Sequence, residues 1–211
     1  MATPEIIPVD ALVLLDYVGI AVFAVSGALL AAEKKQTLVT FIFFAVVTGV
    51  GGGTVRDLLI GAPVFWVGTN ATLLICMAAG IAVWLFSRHA FAGKALLWFD
   101  AVGLAAYATY GAAKALNYGV APVPAFAMGV MTACVGGIIR DVLANEPSIL
   151  MRPELYVTAA ALASGLFVAL TLFGAPPTLA ALVAGLAGFS LRGAAIARGL
   201  SLQLMIVKNA R

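Results

Sequence analysis

Seven long apolar runs, each closed by a short polar or Pro/Gly break, account for most of this chain. They predict helices over residues 10–32, 37–60, 70–86, 96–116, 125–143, 155–173 and 178–197. The breaks are of recognisable kinds. Glu33-Lys34-Lys35-Gln36 is a polar turn, and Gly61-Ala62-Pro63 stops a helix by supplying a left-handed residue and then an imide. Ser87-Arg88-His89, the Pro/Gly loop 117–124, Glu146-Pro147-Ser148 with Arg152-Pro153, and Pro176-Pro177 separate the others. Runs of about 20 residues suit membrane-spanning helices, not the roughly ten-residue alternating strands of a barrel.

Composition strengthens that reading. Of 211 residues, 64% are hydrophobic and 10% charged, with mean hydropathy +1.11; soluble domains carry about a quarter charged residues. The expected class is an all-α polytopic membrane protein in one membrane domain, 1–211, with membrane lipids as its surroundings. The net charge of +3 follows topology and gives no reason to expect nucleic acid. With the N-terminus outside, Lys34, Lys35, Arg88, Lys94, Arg152, Arg192, Arg198, Lys208 and Arg211 all fall on the inner side. The positive-inside rule therefore gives N-out/C-in, as a multi-pass protein of the cell membrane (inner or plasma). Arg192 and Arg198 are expected to snorkel to the interface. Cys76 and Cys134 read as buried, inert thiols, and no metal-ligand spacing occurs. Without Lys or Arg before the first apolar run, the N-terminus reads as a retained helix and not as a signal peptide.

Polar residues inside the runs carry the functional information. Gly51-Gly52-Gly53-Thr54-Val55-Arg56-Asp57 recurs as Gly136-Gly137-Ile138-Ile139-Arg140-Asp141, 84 residues on (140 − 56). The same offset carries Asp16 to Asp100, Gly19 to Gly103, Gly27 to Gly111, Thr48 to Thr132 and Pro63 to Pro147. Segments 16–63 and 100–147 share 17 identities in 48 ungapped positions, and apolar bias alone would not align Asp, Gly-Gly, Arg-Asp and Pro. Each repeat, about 10–87 and about 95–173, holds three helices, an odd number. The second copy is therefore expected upside down, with the seventh helix outside the repeat. Gly51, Gly52, Gly53, Gly136 and Gly137 are expected to break helices 2 and 5 and expose backbone carbonyls to a cation. Ala45, Gly49 and Gly53, with Gly129, Ala133 and Gly137, form small-residue ridges expected to let those two helices approach.

Charges inside a bilayer cost several kcal/mol unless paired or wet. Two sets result: Asp16, Arg56 and Asp57 toward the outer side, and Asp100, Arg140 and Asp141 toward the inner. Arg56 is expected to pair with Asp16 or Asp57, and Arg140 with Asp100 or Asp141, as pore charges or as structural clamps. Lys114 breaks the symmetry, since its counterpart is Leu30, and it is a candidate gating or blocking charge. Ser26, Thr48, Tyr107 and Tyr110 are candidate hydroxyls for a pathway.

Enzyme chemistry finds little support: the single histidine, His89, lies in a loop, and no P-loop, dinucleotide fingerprint or His/Cys cluster occurs. No catalytic residue, bound metal or cofactor is expected.

The doubled Gly-Gly-x-x-Arg-Asp motif, in two three-helix repeats plus a seventh helix, resembles the TRIC family of trimeric intracellular cation channels, in its prokaryotic branch. The resemblance covers nearly the whole chain. It implies a homotrimer with a pore in each protomer, lined by kinked helices 2 and 5 and conducting monovalent cations, chiefly potassium. Potassium or sodium would be permeant ions, not cofactors. Animal members carry a Lys-Glu-Val motif linked to phosphoinositide binding; here Glu33, Lys34 and Lys35 stand in another order, and lipid regulation is not carried over. The prokaryotic domain is also labelled a glycine transporter, which leaves a small-solute carrier as the alternative.

Overall fold

The computed structural model describes residues 9–86, 95–151 and 154–201, with side chains of the first helix from residue 16 onward. Arg88, His89, Lys94, Arg152, Lys208 and Arg211 of the topology argument lie outside the described residues. Seven α-helices follow in order: α1 Val9–Glu33, α2 Leu38–Leu59, α3 Asn70–Phe86, α4 Ala95–Asn117, α5 Pro122–Leu143, α6 Val157–Leu172 and α7 Pro177–Arg198. A single 3₁₀ turn, Ile149–Met151, lies between α5 and α6. The helix starts and stops agree with the apolar pattern to within three residues. The largest difference is at α5, which begins at Pro122 because proline in a first turn has no intrahelical donor to lose.

By length and apolar composition, α1, α2, α5 and α7 each suffice to cross a membrane. The apolar α3 and α6 are shorter, at 17 and 16 residues, and α4 carries both Asp100 and Lys114. Lipid-type exposure is plain on the outside of the bundle, where Leu74, Leu85, Phe86, Leu172, Leu182 and Leu186 are open to the surroundings.

Helix neighbours repeat with the sequence. The first three helices pack on one another as α4, α5 and α6 do, and α1 meets α4 while α2 meets α5. The seventh helix packs on α4 and α6. Left-handed backbone recurs at the same offset: Lys35 with Gly119, and Gly61 with Asn145. Each such residue ends a helix, the role in which positive φ is commonest.

One expectation fails. Both α2 and α5 are helical without interruption through their glycines. Helical hydrogen bonding retains its backbone groups, so no half-helix end presents carbonyls to an ion. Glycine lowers helix propensity by only about 1 kcal/mol, and close packing outweighs that. The glycines act by absence of bulk. A Cβ on Gly52 would collide with the carbonyl oxygen of Thr132, and one on Gly136 would lie 2.5 Å from that of Thr48. The two contacts exchange under the 84-residue offset. Backbone against backbone, α2 and α5 cross antiparallel at Thr48/Gly52 and Thr132/Gly136.

The small-residue ridges lie elsewhere. Gly49 faces Ile20, Ala24 and Cys76, and Gly129 faces Ala108 and Ser164. Residues four apart share one helix face, so the ridge at 45, 49 and 53 is turned away from the face bearing 48 and 52. It seats α2 on α1 and α3, while its counterpart seats α5 on α4 and α6.

Candidate functional site: two buried charge clusters

Six of the charges singled out inside the helices are buried, Asp16, Arg56, Asp57, Asp100, Arg140 and Asp141, while Lys114 is partly exposed. They form two clusters at opposite ends of the bundle. Helix α1 runs from Asp16 in the first to Ser26 beside the second, and α4 runs from Asp100 in the second to Lys114 in the first. The 14 helical steps from Asp100 to Lys114 (114 − 100) span about 21 Å.

In both clusters the arginine folds back on the next residue. The Arg56 Nε donates to Asp57 Oδ1 over 2.8 Å, and Arg140 Nε to Asp141 Oδ1 over 2.9 Å. The other carboxylate oxygen accepts a backbone N–H eight residues on, from Phe65 to Asp57 and from Ile149 to Asp141, each at 3.0 Å. Each aspartate thus fastens the end of its own helix to the loop that follows. Charge-assisted bonds of this kind are about twice as strong as neutral ones, and here they fix the chain where it leaves the helix.

The remaining partners differ. In the second cluster Arg140 NH1 reaches Asp100 Oδ1 at 2.8 Å and the Ser26 hydroxyl at 3.0 Å. In the first, Asp16 accepts from the Tyr107 hydroxyl at 2.9 Å and forms no ion pair with Arg56 among the described residues. Two substitutions between the repeats explain this. Tyr107 corresponds to Phe23, which has no hydroxyl to engage Asp100. Tyr110 corresponds to Ser26, and its ring takes the place beside the arginine, 4.9 Å from the Arg56 guanidinium carbon. The Arg56 charge is shared between Asp57, at 2.8 Å from NH2, and the faces of Tyr110 and Phe65.

Lys114 supplies the first cluster with a second cation. Its Nζ lies 2.9 Å from Asp57 Oδ1 and 3.1 Å from Oδ2, and 5.8 Å from the Phe65 ring centre. The first cluster therefore balances two cations against two aspartates, whereas the second sets Arg140 against Asp100 and Asp141. Among the described residues, Asp100 Oδ2 is buried without a hydrogen-bond partner. A cavity of about 220 Å³ opens beside this second cluster, lined by Leu30, Glu33, Leu96, Leu97, Arg140, Asp141, Glu146 and Ile149.

The hydroxyl candidates are buried between helices. Ser26 donates to Phe23 O, Tyr107 to Asp16, and Thr48 Oγ1 sits against Gly27 without a partner among the described residues.

Other residues of these ends emerge only from the structure. Phe65 and Trp66 fold over the first cluster, with Trp66 Nε1 donating to Thr54 Oγ1 at 2.9 Å and the Phe65 ring packed on Gly53. An ion pair joins Lys34 to Glu146 at the end of the second. Arg192, expected to snorkel, is instead 1% exposed. It pairs with Glu154 at 2.7 Å and lies over the Tyr156 ring at 5.3 Å. A carboxylate within reach outweighs a path to the interface once the helix end is covered by the α5–α6 connection. The repeat offset pairs Phe65 with Ile149, and this shared position was the one signal that pointed to either residue.

A family model described as "Glycine transporter" matches the chain twice, over residues 13–88 and 97–171. A "UPF0126 membrane protein" of Vibrio cholerae is 44% identical over 155 residues, 70% of this chain and 63% of that protein. The "UPF0126 inner membrane protein YadS" of Escherichia coli K12 is 42% identical over 150 residues, 69% of this chain and 72% of its own length. Among solved structures, the TRIC trimeric intracellular cation channel orthologue from Rhodobacter sphaeroides superposes with a TM-score of 0.87 at 45% identity. That match covers 90% of this chain and 99% of the other. A prokaryotic TRIC channel crystallised in 0.5 M KCl gives 0.85 at 30% identity, covering 92% of this chain and 99% of its own. With a fold and charge clusters that follow the doubled motif, and relatives at this identity across most of its length, the chain belongs to the TRIC family of multi-pass membrane proteins, whose domain model carries the glycine-transporter description.

Proposed function

We propose that this protein is a monovalent cation channel, chiefly for potassium, with a pathway inside each protomer running past the α2–α5 crossing. One observation carries the reading: two buried Arg-Asp clusters lie at opposite ends of one antiparallel helix pair whose backbones touch at Gly52 and Gly136. Ionisable residues inside a membrane are costly and rare, and ion pathways are one of the places where they occur. The solved relatives are titled cation channels, which supports carrying that activity over. The reciprocal contacts support an inverted repeat, the placement of Lys and Arg supports N-out/C-in, and the name of the Escherichia coli inner membrane relative supports the cell membrane. The trimeric state of the Rhodobacter orthologue supports a homotrimer here.

In this reading Asp57 and Asp141 guard the two ends, Arg56 and Arg140 shape the helix ends, and Asp16 and Asp100 complete the polar lining. Ser26, Thr48, Tyr107 and Tyr110 line the wall between the ends. Lys114 is the gating or blocking charge, because its ammonium occupies the aspartate that a cation would otherwise meet. Opening then requires the α2–α5 contact to loosen or Lys114 to leave Asp57.

A glycine-type carrier is the second reading, favoured by the family description. Reconstituted pure protein, recorded in potassium and in sodium beside a glycine-uptake assay, separates the two. Unitary currents with potassium preference are expected. Saturable glycine uptake without currents would replace the channel by a carrier.

A further inference from the structure

We propose that the cavity beside the second cluster is a binding site for a monovalent cation of ammonium-like size, with Asp141 as its principal ligand. The inference deepens the cation-channel reading and takes its purpose from it, while the binding itself is measured separately.

The argument begins with Lys114. In the first cluster its ammonium touches both oxygens of Asp57, and the Phe65 ring lies beside it. The 84-residue offset carries Asp57 to Asp141, Arg56 to Arg140, Phe65 to Ile149 and Lys114 to Leu30. Asp141, Arg140, Ile149 and Leu30 all line the cavity of about 220 Å³. Among the described residues, the place that a tethered cation fills at one end of the molecule is therefore a cavity at the other.

Among the described residues, Asp141 accepts fewer bonds than Asp57. Asp57 accepts from Arg56, from the Phe65 N–H and twice from Lys114. Asp141 accepts from Arg140 and from the Ile149 N–H, in matching geometry, with nothing in the position of the ammonium among the described residues. The carboxylate is 5% exposed and borders the cavity. Local charge favours the same ligand. Arg140 is shared between Asp141 and the fully buried Asp100, so one arginine faces two carboxylates. Glu33 and Glu146 add carboxylates at the rim, and Lys34 partly offsets them through its ion pair with Glu146. The cavity has room for a cation with several waters, each taking about 30 Å³. Potassium, rubidium, thallous ion and ammonium share the size and single charge of the group that Asp57 holds.

The test is equilibrium binding of thallous ion to the purified full-length protein, with choline as the background cation, beside thermal unfolding in potassium, lithium or choline. Bound ligand stabilises the folded state by mass action. Wild type is expected to bind about one thallous ion per chain and to melt higher in potassium than in choline or lithium. Leu30→Lys brings a tethered ammonium to the cavity and should remove both effects, while Leu30→Met, of similar bulk and uncharged, should retain them. Lys114→Met vacates the equivalent place and should raise the stoichiometry toward about two. Absence of specific binding in wild type, or thallous binding by Leu30→Lys equal to wild type, would overturn the site. A preference for divalent over monovalent cations would overturn it equally. Binding without unitary currents supports the site and removes the channel reading; currents without binding do the reverse.

Discussion

The Tyr107 hydroxyl donates to the Asp16 carboxylate across 2.9 Å, while its counterpart in the other repeat is Phe23, which has no hydroxyl to give to Asp100. The two rings themselves stack, with centroids 5.4 Å apart. Each also covers the other repeat's glycine: Tyr107 lies over Gly19, and Phe23 over Gly103. The Tyr107 oxygen, together with the exchange of Tyr110 for Ser26, distinguishes the aspartate held by a phenol from the aspartate held by an arginine. Tyr107→Phe removes it and leaves Asp16, 8% exposed, without that donor. A hydrogen bond to a charged group is worth about 1.5–3 kcal/mol. The expected result is a loss of that size in thermal or denaturant unfolding, with the stacked ring retained.

The α2–α5 crossing gives a second expectation. In Gly52→Ala the new methyl group meets the Thr132 carbonyl, and in Gly136→Ala it meets the Thr48 carbonyl. Backbone cannot rotate aside as a side chain can, so the helices must separate. Overpacking costs about 1–3 kcal/mol or more, and either variant should unfold earlier than wild type. Gly185→Ala is the control. Its Cβ would have no neighbour closer than the Ala105 carbonyl at 3.9 Å, and a helical Gly→Ala change is worth about 0.5–1 kcal/mol in its favour. Equal melting temperatures for all three would show that the crossing is loose.

These glycines show how far sequence carries. The offset between repeats, the helix bounds and the pairing of arginine with its neighbouring aspartate follow from spacing, because periodicity and identity at a fixed interval are sequence properties. Whether Gly51–Gly53 breaks its helix is not one. A glycine run lowers helix propensity, yet the outcome depends on what packs there, and Thr132 lies 80 residues away (132 − 52). Lys114 is an intermediate case. Its partner Asp57 was open to inference, since an upside-down repeat sets the end of helix 4 beside the end of helix 2. What spacing lacked was the side-chain direction. Arg192 was misread for the converse reason: Glu154 lies on a connection whose path no periodicity determines.

Arg192 with Glu154 provides the third prediction. The guanidinium is 1% exposed and reaches Glu154 Oε2 at 2.7 Å. Removing the carboxylate strands a buried guanidinium, and because the Glu154 side chain is itself 29% exposed the cost falls below that of a fully buried pair, about 3–5 kcal/mol. Glu154→Ala should therefore destabilise, and Arg192→Met with Glu154→Ala should recover part of the loss, because no unpaired charge remains. A double-mutant cycle in chemical unfolding measures the coupling. Additive losses would mean that the arginine finds water or lipid headgroups after all.

The Lys34–Glu146 pair should behave differently. Its side chains are 40% and 31% exposed. Exposed pairs contribute about 0–1 kcal/mol and are screened by salt. Lys34→Ala is expected to move the melting temperature little, and to make what effect it has at low ionic strength. A large loss that persists at high salt would assign this pair a structural role comparable to Arg192.

Asp57 decides between a charge that guides ions and one that only clamps a helix end. Asp57→Asn keeps the side chain's shape and an oxygen able to accept from the Phe65 N–H, but removes the countercharge of both Arg56 and Lys114. The amide leaves two buried or half-buried cations facing each other. As the guiding charge, its loss should lower cation conductance and shift the potassium-to-sodium preference, read from single-channel amplitude and reversal potential. Lys114→Met, which removes the competing cation and keeps the carboxylate, should move conductance the opposite way. Opposite signs cannot come from destabilisation, since both variants lose the same ion pair and both should melt earlier than wild type. If the two substitutions lower protein yield alike and leave amplitude and reversal potential unchanged, Asp57 is a clamp, and the pathway runs elsewhere in the bundle.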